Sequence, residues 1–67
     1  MDKLEAAKKH YEGLAAEAEA TIDMYLYNSV GIGEHPQHLI EIDKQLDKIA
    51  QAEEKLDALD AFRKGEE

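Results

Sequence analysis

Val30-Gly31-Ile32-Gly33-Glu34-His35-Pro36 is the stretch that decides the fold of this 67-residue chain. It gathers two of the four glycines and the sole proline, with residues that favour helix on both sides. Gly31 tolerates the left-handed conformation that closes many helices, and Ile32 is then placed to fold back onto the last turn around Tyr27. Pro36 suits the first position of a new helix, where its missing N–H is not needed, and it biases His35 towards the extended conformation of a cap residue. The stretch therefore reads as stop, turn and start. The expectation is a single domain over 1–67, with helix 1 over about 2–30, a turn at 31–35 and helix 2 over about 36–64.

Working outward, Asp2 can cap the first free N–H groups of helix 1 and suits the positive end of its dipole. Apolar positions then recur at Leu4, Ala7, Tyr11, Leu14/Ala15, Ala18, Ile22, Tyr25/Leu26 and Ser29/Val30, a continuous stripe at helical spacing. Glu5 with Lys9 and Lys8 with Glu12 have the spacing of helix-supporting ion pairs. Gly13 interrupts the helix at a cost of roughly 1 kcal/mol relative to Ala and reads as a tolerated surface glycine, the alternative being close packing of another backbone against it. On helix 2 the apolar positions are Leu39, Ile40, Ile42, Leu46, Ile49, Ala52, Leu56, Leu59 and Phe62, and Gly65 marks the end.

Two helices of this length, each roughly 42 Å long, joined by so short a turn must run antiparallel. The fold class expected is an all-α, two-helix antiparallel hairpin that self-associates into a helical bundle. Residues whose numbers add to a constant near 66 or 67 then lie at one level. Leu4 meets Phe62, Tyr11 meets Leu56, Ala18 meets Ile49 and Ile22 meets Leu46, giving an expected hairpin core of Leu4, Tyr11, Ala18, Ile22, Leu46, Ile49, Leu56, Leu59 and Phe62. The same rule aligns Glu12 with Lys55, Glu19 with Lys48 and Asp23 with Lys44, but these carboxylates follow core positions whereas the lysines precede them. In an antiparallel pair such residues fall on opposite flanks, so no ladder of salt bridges is expected. One edge, with Glu5, Glu12 and Glu19 facing Asp43, Ala50 and Asp57, should be mostly acidic.

A chain this short rarely gains more than about 3–5 kcal/mol net from one core. With no cysteine, neither disulfides nor thiolate metal sites can supplement it. Oligomerisation is the remaining common route. A second stripe of Gly13, Ala16, Ala20, Met24 and Tyr27 runs down the face of helix 1 opposite the first, and Ile32, Leu39 and Ile40 add apolar surface near the turn. A hairpin buries one stripe per helix, so this surplus should be covered from outside. Ala16, Ala20, Met24, Tyr27, Ile32, Leu39 and Ile40 are the expected oligomer or partner interface, most simply in a homodimer that forms a four-helix bundle, or in a higher homo-oligomer. The alternative is that alanine is present as a good helix former and the second stripe faces water.

Chemistry is sparsely represented. Glu34, His35, His38 and Glu41 could make a shallow metal site, but the Glu-x-x-His spacing of carboxylate-bridged di-metal bundles is missing, since Ala7 precedes His10 and His35 precedes His38 by three. No metal or cofactor is expected. The lone Ser29 has no patterned base and acid around it, and Gly31-x-Gly33 follows a helix and lacks the later Gly and Lys of a phosphate loop. No enzymatic activity is expected. Sixteen acidic against eight basic residues give a formal charge of −8, which opposes nucleic acid and anionic membranes as ligands. No apolar run approaches the roughly 20 residues that cross a bilayer, and Met1-Asp2-Lys3-Leu4 does not lead into a signal-peptide core. The expected location is the cytoplasm.

Tyr25-Leu26-Tyr27-Asn28-Ser29-Val30-Gly31-Ile32-Gly33-Glu34-His35-Pro36, with Ile42-Asp43-Lys44 and Lys48-Ile49-Ala50-x-Ala52-Glu53-Glu54-Lys55-Leu56 downstream, resembles short helical-hairpin proteins of tailed bacteriophages, marine ones included. These carry a similar V-G-I-G-E-H-P turn between two helices. The resemblance runs from the second half of helix 1 through most of helix 2. It implies a small phage-encoded helical protein, in the host cytoplasm or the virion, with no assigned activity and no functional residues to carry over. Two functions follow from the whole reading: a non-enzymatic structural or accessory hairpin that acts by self-association, or an acidic adaptor or inhibitor, a nucleic-acid mimic, that binds a basic protein.

Overall fold

The computed structural model describes residues 2–27 and 35–66, which form two α-helices, α1 (Lys3–Tyr27) and α2 (His35–Glu66). The helix stop at Gly31, the fold-back of Ile32 and the placement of Glu34 lie outside the described residues, as do the side chains of His35, Pro36 and Gln37. Helix α2 begins with His35 and runs through Gly65 to Glu66, so Gly65 does not end it. The molecule measures 50 × 19 × 13 Å. A 32-residue helix is about 48 Å long and about 10–12 Å across, so α2 alone sets the length and the hairpin is one helix thick.

Asp2 caps α1 as expected: its Oδ1 accepts the Glu5 N–H at 2.7 Å, and its carbonyl accepts the Ala6 N–H at 3.0 Å. From the other end of the chain, Arg63 donates to the same Asp2 Oδ1 at 3.3 Å and pairs with Glu5 at 3.6 Å. A cation in the last turn of α2 thus meets two anions in the first turn of α1, where both helix dipoles favour the arrangement. At mid-length Lys55 lies 5.3 Å from the centre of the Tyr11 ring, and near the turn Tyr25 tilts against His38 at 5.5 Å between ring centres. These contacts join levels all along two antiparallel helices. The hairpin expected from the sequence is the fold.

The seam between the helices is narrow. On α1 it takes Leu4, Ala7, Tyr11, Ala15, Ala18, Ile22 and Tyr25, and on α2 it takes His38, Ile42, Gln45, Ile49, Ala52, Leu56, Leu59 and Arg63. Among the described residues only Ala18 and Ala52 are buried apolar residues, and no large side chain is fully buried. The α2 positions alternate strictly in steps of four and three, the spacing that keeps one face against a straight neighbour. That spacing corrects the expected core at two places. Leu46 is 52% exposed and Phe62 is 63% exposed, because the seam passes through Gln45 and Arg63, the residues next to them in sequence. One residue turns a helical side chain by about 100°, enough to move it from the seam to a flank. Leu4, Tyr11, Ile22, Ile49, Leu56 and Leu59 lie in the seam half-buried, and Ala18 lies there buried.

The ion pairs differ from those expected in the first turns of α1. Glu5 turns to Arg63, and neither Glu5 with Lys9 nor Lys8 with Glu12 comes within pairing distance. The other pairs among the described residues lie within α2, Lys44 with Glu41 at 3.3 Å and Lys64 with Asp60 at 3.2 Å. Glu12, Glu19 and Asp23 do not reach Lys55, Lys48 and Lys44, in keeping with their opposite flanks.

Asp2 acts both as cap and as anchor for Arg63, so Asp2→Ala should cost about 1 kcal/mol or somewhat more in denaturant unfolding. Arg63→Ala should cost less, and the double variant less than the two costs together, because the Asp2–Arg63 contact is lost in each.

Candidate protein interaction site

The uncovered apolar surface falls into three parts, fixed by where each residue sits relative to the seam. The first is the turn-proximal end. Met24, Leu26, Tyr27, Leu39, Ile40 and Leu46 are all exposed, six of the eight exposed large hydrophobic residues among those described, with Tyr27 at 82% and Leu39 at 73%. Their spacing distributes them around the end. Met24 and Tyr27 lie on the outer face of α1 with Ala16 and Ala20, Ile40 lies on the outer face of α2, and Leu26, Leu39 and Leu46 share one flank. This end is apolar on three sides. Of the interface expected from the sequence, Ala16, Ala20, Met24, Tyr27, Leu39 and Ile40 face outwards here, and Ile32 lies outside the described residues.

The second part is a groove along one flank. A hollow of about 330 Å³ is floored by Ala18 and Ala52 and edged by Leu14, Glu17, Thr21 and Lys48. It continues into one of about 440 Å³ between Leu4, Ala58, Leu59 and Phe62, and the two share Tyr11 and Lys55. From Leu4 to Thr21 the groove follows α1 for roughly 25 Å. Tyr11 is held from two sides, by Lys55 over its face and by His10 edge-on at 5.1 Å. Lys44, Lys48 and Lys55 line this flank of α2, spaced four and seven apart.

The third part is the opposite flank, which is acidic over most of its length. A smaller hollow of about 260 Å³ lies there between Lys8, Glu12, Asp60 and Arg63. Steps of seven place Glu5, Glu12, Glu19 and Leu26 along α1, opposite Leu39, Leu46, Glu53 and Asp60 of α2. The α2 side of the acidic edge was expected at Asp43, Ala50 and Asp57. The shift of the seam through Gln45 turns those residues to the back of α2 and brings Glu53 and Asp60 into their place.

Among the described residues no three histidine or carboxylate side chains converge on a metal-sized site, and His38 packs against Tyr25 with Glu41 one turn further on. No helix is long and apolar enough to cross a membrane among the described residues. The Lys48–Lys55 groove was not legible as a site in the sequence, where the level rule set Tyr11 against Leu56 and Lys55 against Glu12. No protein-family model, curated protein or solved structure matches the chain.

Gly13 lies on the outer face of α1, where an added Cβ would meet nothing within 4 Å. Gly13→Ala should therefore raise unfolding stability by up to about 1 kcal/mol, and it should leave any association of the chain unchanged, since the outer face near Gly13 is open. Weaker association in sedimentation would show that another backbone packs there.

Proposed function

We infer that this protein is a non-catalytic helical hairpin that works by assembling with further copies of itself. One observation carries the reading: the fold buries no large side chain fully among its described residues, and it exposes 5256 Å² in all. A compact monomer of 7.5 kDa exposes about 4,200 Å². The excess of about 1,000 Å² exceeds the roughly 800 Å² that each partner buries in a standard-sized interface. The resemblance of the Val30–Pro36 turn to bacteriophage hairpins supports a role as a small accessory or structural component of a virus, acting in the host cytoplasm or the virion.

A second reading is favoured by the acidic flank. Glu12, Glu19 and Glu53 form no ion pair within the chain, so this flank could also engage a basic partner protein, as an adaptor or a mimic of nucleic acid. Salt separates the two. Sedimentation equilibrium at micromolar concentration should give at least a dimer both in 50 mM and in 500 mM NaCl, because apolar burial is little screened. A folded 7.5 kDa monomer in both buffers, with a basic partner lost steeply as salt rises, would support the adaptor instead.

A further inference from the structure

We propose that the groove between Leu14 and Lys48 is the contact face of a closed two-fold dimer, in which the two hairpins lie parallel and Glu17 of each copy pairs with Lys48 of the other. This rests on the reading that the chain self-associates, and names the surface. Three observations select it. The groove flank carries apolar residues along its length, Ala18 and Ala52 beside Gln45 in one hollow and Leu59 and Phe62 in the next, and a flat flank can be covered by a second flat flank. The turn-proximal residues, spread over three sides, cannot all be covered that way. The acidic flank cannot lie on a copy of itself without setting Glu12, Glu19 and Glu53 against like charges, which costs specificity and affinity.

The charges on the groove fix the orientation. When two hairpins meet flank to flank about an axis parallel to their length, α1 of one lies over α2 of the other at the same level. Glu17 and Lys48 occupy neighbouring levels on either side of the groove, and neither is engaged in an ion pair within its own hairpin. In the parallel dimer each Glu17 meets a Lys48, twice by symmetry. Phe62, 63% exposed in one hairpin, then covers Leu4 of its neighbour, and Leu14 packs near Ala52. In the antiparallel arrangement α2 lies along α2, which brings two lysine rows together and leaves Glu17 without a partner. The parallel dimer also sets both turn-proximal ends at one pole. There Met24, Tyr27, Leu39 and Ile40 of two chains make a single apolar tip.

The chain has no cysteine, so single-cysteine variants report the contact directly. A mixture of Glu17→Cys and Lys48→Cys chains, treated with a short bis-maleimide, should give the mixed dimer well above random pairing. In sedimentation, Lys48→Glu should weaken the dimer about tenfold, the double variant Glu17→Lys/Lys48→Glu should recover most of that loss, and Met24→Glu should leave it within about twofold. A dimer that ignores Lys48→Glu, or cross-linking no better than random, overturns this face while leaving self-association standing. A wild-type monomer overturns both.

Discussion

Everything in this molecule depends on two helices meeting through small side chains. Ala18 and Ala52 let α1 and α2 approach closely, and they are the apolar residues buried among those described. Close approach gives dense packing but removes little surface from water, and burial contributes in proportion to area. Leu4, Tyr11, Ile22, Ile49, Leu56 and Leu59 therefore stay half-buried beside the alanines. The ends supply what the middle lacks. At one end Arg63 ties the last turn of α2 to Asp2 and Glu5, and at the other Tyr25 rests on His38.

The narrow seam also sorts the remaining residues. A hairpin one helix thick has two flanks and two outer faces, and here each has its own character. The groove flank combines an apolar floor with lysines, the opposite flank is acidic, and the turn-proximal end is apolar on three sides. Specific contact needs faces that differ, and the hollows here are troughs between two helices. A net charge of −8 keeps copies apart at long range, so an assembly of this chain must depend on contacts that pair charge locally.

Much of the fold was legible because its signals were redundant. Asp2 as a cap and two stripes at helical spacing agreed with one another, and the level rule placed Tyr11 by Leu56, next to the Lys55 it meets. The seam departs from the apolar stripe at two positions on α2. Leu46 and Phe62 are more hydrophobic than Gln45 and Arg63, yet the four-and-three spacing of the seam selects the latter pair. Arg63 is tolerated there because its aliphatic stem can lie on the seam while its guanidinium reaches Asp2 and Glu5. That ion pair spans 61 positions and has no local pattern to announce it. Leu14 and Ala15 could each have filled one place in the stripe, and the structure puts alanine inward and leucine on the groove flank. The groove itself was hidden for the same reason: its Phe62 had been assigned to the core, and its lysines had been weighed only as partners for the acidic residues of the other flank.

On the reading proposed above, this hairpin completes its core by association. The most direct test is the thermal unfolding midpoint followed over a hundredfold range of protein concentration. Folding coupled to assembly raises the midpoint steadily with concentration, because partner chains stabilise the folded state by mass action. A midpoint that stays constant over that range would show that the two helices are sufficient alone, and would contradict the account.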